Sequence, residues 1–191
     1  MKIYKSLKNS IITQGFGIEK TNPSVLHFYK ELGMLAHNGW DWTAKDRDKI
    51  YFDVSCKGKV INITTDLNAG YGIEILTEDK DGIFKHRYWH LKTDGILVKI
   101  GQEVESGDLI GLADNTGKYS TGSHLHRDLK QCSYQTNGKM EVINYNNGYF
   151  GAIDITPYFT NIFVVDFVDT LKVQIGIIQK LIELFKQLFK K

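Results

Sequence analysis

The chain has 191 residues, of which 42% are hydrophobic and 24% charged, a balance typical of a folded globular protein rather than a disordered one. Its net charge of +2 is too small for binding to a nucleic-acid backbone, so nucleic acid is not an expected partner. With only Cys56 and Cys132, the sequence excludes a disulfide framework and a cysteine-based zinc finger, and two buried thiols are expected rather than one bridge.

The N-terminal segment lacks the pattern of a secretory signal. Lys2, Lys5 and Lys8 interrupt residues 1–13 before they reach the roughly 7–15-residue apolar run that such a signal requires. No segment of the sequence reaches the ~18 uncharged apolar residues of a membrane span. We therefore expect synthesis in the cytoplasm without a leader.

The first 160 residues predict a mainly β domain. Short alternating or β-branched runs separated by glycine turns are typical of strands. Such runs occupy residues 59–64, 71–77, 84–90, 98–104, 106–111 and 124–129. Residues 79–82 indicate a hairpin turn, and the polar residues 131–147 indicate a loop and hairpin. A helix is expected in this region only near residues 24–35.

Residues 161–191 predict a basic amphipathic helix that is distinct from residues 1–160. Apolar residues recur there at spacings of three and four, at Val168, Leu171, Ile175, Ile178, Ile182, Phe185 and Phe189. Of the 24 basic and 22 acidic residues, five and three lie in this segment, so residues 1–160 hold 19 of each and are neutral. The helix could pack on the domain or another copy, lie on a membrane surface, or dock into an assembly.

Three patterns place histidines and a carboxylate where they could build a metal or proton-transfer site. His124 and His126 lie two apart on a predicted strand, so both side chains share one face. His37 and Asp41 lie four apart around a glycine, and such nitrogen and carboxylate ligands suit zinc. His90 ends a predicted strand among aromatic residues. Singly, each also fits a solvated strand face, a surface turn or a packed histidine. Together, two imidazoles and one carboxylate are the ligand count of a catalytic zinc with an open fourth position.

The order of these motifs and the stretches between them resemble the lysostaphin/LytM-type zinc metalloendopeptidases, which cut peptidoglycan cross-links. The family pattern H-x-x-x-D, then H-L, then H-x-H corresponds to residues 37–41, 90–91 and 124–126. Supporting stretches are QGFG at 14–17, KGKV at 57–60, GQEVESGDLIG at 101–111, TGKYSTGSHLH at 116–126 and DITPY at 154–158. The resemblance covers about residues 10–160 and implies a twisted antiparallel sheet that forms a groove walled by loops.

The resemblance implies a role for each matching position. His37, Asp41 and His126 correspond to the three ligands of one zinc ion per chain. His90 and His124 correspond to two unligated histidines, either of which could act as the general base. Tyr29 is the nearest counterpart of a tyrosine that stabilises the oxyanion in some members.

The chain departs from the family after the last ligand. Many members continue H-L-H-F-E, whereas this sequence reads His126-Arg127-Asp128. We expect Asp128 to orient a ligand as a hydrogen-bond acceptor. We expect Arg127 to project to the opposite face, where it would affect substrate details more than zinc.

The expected function is hydrolysis of a stem peptide or cross-link of bacterial peptidoglycan by a zinc-dependent endopeptidase. Without a leader, a phage-type endolysin or a virion-associated lysin is the expected route to the cell wall. The alternative is a non-catalytic scaffold or binding module of a virion tail or wall assembly, against which the complete histidine set counts. Membrane disruption by residues 161–191 is a third hypothesis. A membrane surface or another protein are the candidate partners of that segment.

Overall fold

The computed structural model describes residues 1–188, and most of them belong to antiparallel β structure. Thirteen strands and two α-helices, numbered here in chain order, make up the regular structure of this range. The strands are β1 (Ile3–Lys5), β2 (Ile12–Gln14), β3 (Trp40–Thr43), β4 (Lys49–Tyr51), β5 (Gly58–Asp66), β6 (Gly70–Asp79), β7 (Gly82–Ile96), β8 (Glu103–Val104), β9 (Leu109–Ala113), β10 (His124–Tyr134), β11 (Met140–Val142), β12 (Ala152–Ile153) and β13 (Phe159–Phe163). The helices are α1 (Leu26–Glu31) and α2 (Val164–Leu188).

The main sheet has the strand order β2-β3-β10-β7-β6-β5-β8, and β4, β9, β11 and β12 pair along its sides. Its strands pair antiparallel, and β1 and β13 form a separate parallel pair. This architecture confirms the mainly β fold with a large antiparallel sheet and a C-terminal helix. It also confirms the hairpin at residues 79–82, where Asp79 pairs with Gly82.

Four local predictions need correction. The strand expected at 106–111 is β9, which begins at Leu109 and ends at Ala113, and residues 161–163 of the predicted C-terminal helix belong to β13. Only Glu103–Val104 of the strand expected at 98–104 is a strand. The preceding residues turn instead, because Gly101 has a positive φ of 87° and the Gln102 amide donates to the Lys99 carbonyl. The helix expected at 24–35 is shorter, a 3₁₀ turn at Pro23–Val25 followed by α1.

The side chains of strand β10 alternate between the two faces of the sheet, and one of these faces packs on the core. Leu125 and Leu129 are fully buried in the hydrophobic cluster, and Arg127 points to the same side. Arg127 is also fully buried, and its Nε lies 2.8 Å from Oδ2 of the buried Asp53. The expectation that Arg127 affects substrate details is therefore wrong, since a core carboxylate neutralises this side chain away from the groove.

Both cysteines are free thiols. Cys132 is buried and Cys56 is half-buried. The structure therefore agrees with the expectation of no bridge, although only one of the two thiols is fully enclosed.

Within residues 164–187, helix α2 contacts the domain only through its first residues. Val164 is buried, the ring of Phe167 stacks on Tyr4 with centroids 4.4 Å apart, and Val168 lies against Gly107. Between residues 169 and 187 every side chain except Gly176 is exposed, including the apolar Leu171, Ile175, Ile178, Leu181, Ile182 and Phe185. No helix among residues 1–188 is long and apolar enough to cross a membrane. Phe189, Lys190 and Lys191 of the predicted helix lie outside the described residues.

Candidate metal centre

Three side chains converge where β3 meets β10. Asp41 lies directly opposite His126 in the antiparallel register, and His37 lies just before β3. His126 Nδ1 is 2.9 Å from Asp41 Oδ1 and 2.9 Å from His37 Nε2. His37 Nε2 is 3.2 Å from Asp41 Oδ1. The structure thus brings together, at one point, the three residues that the resemblance implies as zinc ligands.

The outer nitrogen of each histidine faces an acceptor, which fixes the direction of the inner one. His37 Nδ1 donates to the Gly15 carbonyl at 2.9 Å, so Nε2 carries the lone pair. His126 Nε2 lies 3.6 Å from Asp128 Oδ2, and Nδ1 on the other side of the ring points at Asp41. Asp128 therefore stands where an orienting acceptor was expected.

Gly39 gives the ligand segment its close approach to β10. A Cβ atom there would lie 2.6 Å from the Arg127 carbonyl oxygen and 2.7 Å from the His126 ring. Real Cβ atoms essentially never come so close. The glycine between His37 and Asp41 thus lets the two strands bring their ligands together.

The electrostatics of the three groups call for a cation between them. Burial raises the pKa of Asp41, but His37 and His126 outweigh it and hold that pKa well below its usual range. Burial lowers the pKa of His126, but the carboxylates of Asp128 and Asp41 raise it overall to about 9. Three acceptor atoms within about 3 Å of one another repel unless a proton or a metal ion lies between them. Two imidazole nitrogens and one carboxylate oxygen are a donor set that fits zinc.

His90 and His124 lie beside the three converging groups but are not part of the candidate ligand set. The His90 ring is 4.3 Å from the His124 ring, centroid to centroid. His90 Nδ1 donates to the Thr116 carbonyl at 2.6 Å, and His124 Nδ1 donates to the Gly122 carbonyl at 2.8 Å. Each histidine therefore keeps its Nε2 free for chemistry in the groove, and that of His124 lies 3.9 Å from Asp41 Oδ1.

His90 reaches the groove through an unusual backbone conformation. Its φ is +61°, in the left-handed region that non-glycine residues rarely adopt, and the register between β6 and β7 shifts beside it. Burial, with the nearby His124 and His126, lowers the pKa of His90 to about 3. The imidazole is therefore neutral at physiological pH.

A groove of about 550 Å³ encloses these five residues. Aromatic side chains line much of it, namely Phe28, Tyr29, Trp89, Tyr119 and Phe150. The Tyr29 hydroxyl accepts a hydrogen bond from the Gln14 amide, and its ring lies 5.6 Å from that of His37. Burial and the charge of Asp41 raise the pKa of Tyr29, so its hydroxyl keeps its proton to donate.

Sequence reasoning missed three residues that support the site, Gly15, Thr116 and Arg87. The carbonyls of Gly15 and Thr116 hold His37 and His90, and both residues stand in the quoted QGFG and TG stretches. Arg87 also lines the groove, and its Nε donates to Asp128 Oδ1 at 2.8 Å. Regular strand alternation would place Arg87 and His90 on opposite faces. Arg87 could have been predicted at the groove only if the left-handed backbone at His90 had been known.

Solved structures share the fold of this chain. The catalytic domain of lysostaphin from Staphylococcus simulans superposes with a TM-score of 0.55 at 24% identity, over 78% of this chain and 92% of that domain, and at this identity it supports the fold alone. A zinc-containing peptidase from Vibrio cholerae superposes with a TM-score of 0.55 at 27% identity, over 81% of this chain and 39% of that one.

Curated relatives match the chain over part of their length. The peptidoglycan DD-endopeptidase ShyB of Vibrio cholerae serotype O1 is 36% identical over 118 residues, which are 62% of this chain and 24% of ShyB. The glycyl-glycine endopeptidase ALE-1 of Staphylococcus capitis is 39% identical over 70 residues, which are 37% of this chain and 18% of ALE-1. The chain thus spans a quarter or less of these relatives.

The family comparison covers the site itself. The model of peptidase family M23 matches residues 35–150. This range includes the three converging residues and the two neighbouring histidines. On this match over more than half of its length, the chain belongs to peptidase family M23.

Proposed function

We propose that this protein is a zinc-dependent endopeptidase that hydrolyses a peptide bond in bacterial peptidoglycan. The observation that carries the proposal is the convergence of His37 Nε2, Asp41 Oδ1 and His126 Nδ1 beside two further histidines in one groove. Membership of family M23 supports it, as do the names of the relatives, a peptidoglycan DD-endopeptidase and a glycyl-glycine endopeptidase.

One zinc ion per chain would be held by those three atoms. When bound, zinc polarises a carbonyl oxygen and makes a water molecule more acidic. The protein's own contribution is to position the ligand atoms. The Gly15 carbonyl holds the outer side of His37, Asp128 lies 3.6 Å from the outer nitrogen of His126, and the β3–β10 register holds the carboxylate. This support aims the ligand atoms at a single point before any ion binds.

Proton transfer is the role of His90 and His124. With Nδ1 of each bonded to a carbonyl, each Nε2 can accept a proton from water and return it to the leaving amine. The Tyr29 hydroxyl, held by Gln14 at the groove wall, would donate a hydrogen bond to the oxygen that becomes negative in the transition state.

Dye release from purified peptidoglycan of several wall types tests the activity. We expect release from at least one wall type, its loss with a chelator and its return with added zinc. The Asp41→Asn variant should release no dye, whereas His27→Ala, which changes an exposed histidine outside the groove, should behave as the parent. Dye release that persists with the chelator and in the Asp41→Asn variant would overturn the proposal. A protein that neither releases dye nor binds zinc would favour a non-catalytic scaffold.

The biological setting is a narrower part of the proposal. We propose that the enzyme acts on the cell wall as a phage-type endolysin or virion-associated lysin, with α2 as its attachment segment to a membrane surface or to another protein. The exposed apolar residues of α2 support such a contact. Co-sedimentation with anionic vesicles and sizing of the purified protein separate the two kinds of partner. A monomer that neither sediments with vesicles nor retains a virion protein would contradict an attachment role.

A further inference from the structure

Two neighbouring rows of side chains cross the groove face of the sheet beyond His126, and they differ in charge balance. The first row joins Glu74, Arg87 and Asp128 on β6, β7 and β10, with signs that alternate. Arg87 Nε lies 2.8 Å from Asp128 Oδ1, and its Nη1 lies 4.0 Å from Glu74 Oε1. With two carboxylates and one guanidinium, this row carries one net negative charge.

The second row, Lys85 on β7 and Lys130 on β10, places two cations directly opposite each other. We call these two residues the lysine pair. Like charges in directly opposed positions of a sheet destabilise it. The neighbours of the pair in the same row are Leu76 and Ala152, which carry no charge. The row therefore has nothing of its own to balance two ammonium groups.

Lys130 is the less compensated member of the pair. Lys85 Nζ reaches Glu74 Oε2 at 3.4 Å, in the first row. Lys130 is only 5% exposed, and within residues 1–188 no carboxylate lies within 4.0 Å of its ammonium group. Its ammonium group lies over the ring of Tyr145, 5.5 Å from the ring centroid. A buried charge without a counter-charge costs free energy, so an anion at this position would be bound favourably.

The charge count of the two rows agrees with this reading of Lys130. Three cations, Lys85, Arg87 and Lys130, share two carboxylates, Glu74 and Asp128. Burial, followed by the charge of Arg87, lowers the pKa of Lys130 to about 8, so the group still carries its proton near neutral pH. One positive charge is left over in the two rows, and of the three cations it is Arg87 that lines the groove.

We propose that the lysine pair, with Arg87, binds a free carboxylate of the substrate peptide and so makes the enzyme selective for acidic peptides over uncharged glycine bridges. The inference rests on the proposed peptidase function and names its substrate class. Side chains on one strand face repeat about every 6.7 Å, so Lys130 lies two steps, about 13 Å, from His126. An extended peptide covers that distance in about four residues, which sets the carboxylate about four positions from the cleaved bond.

The test compares two forms of one probe, a D-alanyl cross-linked stem-peptide dimer with its carboxylates free or fully amidated. We expect the zinc-loaded enzyme to cleave the free-acid form with a kcat/KM about 10- to 100-fold higher, the range of a charge-assisted contact. In Lys130→Met and in Lys85→Met the preference should fall about tenfold, with the loss in the acid form alone. Lys99→Met, which changes an exposed lysine, should keep the preference.

A structural role alone would give a different pattern. Loss of activity toward both forms by the same factor in Lys130→Met would overturn the inference, as would equal cleavage of the two forms by the parent enzyme. Because Lys130→Met removes an unpaired buried charge, its Tm should be unchanged or higher, which guards against misfolding as the cause.

Failure of the peptidase proposal is distinguishable from failure of this inference. If neither form is cleaved, binding of the same two peptides, N-methylated at the cross-link amide, is measured on the zinc-loaded protein. Preferential binding of the acid form, lost in Lys130→Met, would uphold the carboxylate site in a protein that is not a peptidase. Equal binding of both forms would overturn it.

Discussion

Asp41 and His126 stand directly opposite each other on β3 and β10, with 2.9 Å between the carboxylate oxygen and the ring nitrogen. Because the pair is part of the sheet ladder, the position of the metal-binding atoms is set by strand register rather than by a loop. A site held in this way needs little reorganisation when an ion binds.

Replacement of Asp41 by asparagine should abolish zinc binding and activity together. An amide oxygen is a weaker zinc ligand, and the substitution removes the one negative charge that the three ligands offer the metal ion. His37→Ala should have the same result, because it deletes a donor. Zinc content per chain after dialysis and dye release from peptidoglycan are the two measurements. A variant at Asp41 that holds a full equivalent of zinc would show that the ligand set is different.

Replacement of His124 by alanine should leave zinc in place and lower the rate by about 10²–10⁴-fold, the range for loss of a general base. The same is expected of His90→Ala, since both rings lie outside the converging set. Single-turnover rates and zinc content on the same samples check this. Release of the metal from His124→Ala would mean that His124, and not His126, is the ligand.

Zinc binding should release close to one proton at pH 7. In the metal-free protein the carboxylates of Asp128 and Asp41 raise the pKa of His126 to about 9, so this imidazole is protonated and must lose its proton to bind metal. Zinc affinity should therefore fall as the pH decreases from 9 to 6. Calorimetric titration in two buffers of different ionisation enthalpy counts the proton, and a buffer-independent heat would contradict the expectation.

The same shift fixes how the stability of the metal-free protein depends on pH. A raised pKa in the folded state stabilises the fold fully below the unfolded value near 6.5 and loses this effect as the pH rises through about 9. The metal-free protein should thus melt at a lower temperature at pH 9 than at pH 6.5. The zinc-loaded protein should not show that loss, because its His126 carries no proton at either pH.

Replacement of Gly39 by alanine should destabilise the fold by about 1–3 kcal/mol and weaken zinc binding, because the added Cβ would collide with the Arg127 carbonyl and the His126 ring. Thermal unfolding with and without zinc measures both effects. Gly176→Ala, on the exposed part of α2 where a Cβ meets nothing within 4 Å, is the matched control and should be neutral or stabilising. Wild-type zinc affinity in Gly39→Ala would show that the two strands can separate without loss of the site.

Strand alternation made much of the site predictable from sequence. A period of two places His124 and His126 on one face and Arg127 on the other, and this is what the structure has. The pairing of Asp41 with His126 is a long-range register that no local pattern specifies, so only the family resemblance could suggest it.

The features that escaped prediction arise from contacts distant in sequence. Arg127 points away from the metal as expected, but its partner in the core, Asp53, lies 74 positions away and could not be foreseen, so an effect on substrate was expected of a side chain that is neutralised in the core. The left-handed backbone at His90 interrupts a strand that alternation alone would run straight. Lys85 and Lys130 become neighbours only through the pairing of β7 with β10, so the sequence alone does not predict that they lie opposite each other.

The exposed length of α2 has a mechanical consequence. A 25-residue helix is about 37 Å long, and within residues 164–187 only its first five residues rest on the domain. With its far end attached, it would act as a rod that holds the groove within a fixed radius of the attachment point. Bonds inside that radius would meet the enzyme at a high effective concentration, and bonds outside it would not be reached, so cleavage would be clustered rather than scattered over the wall.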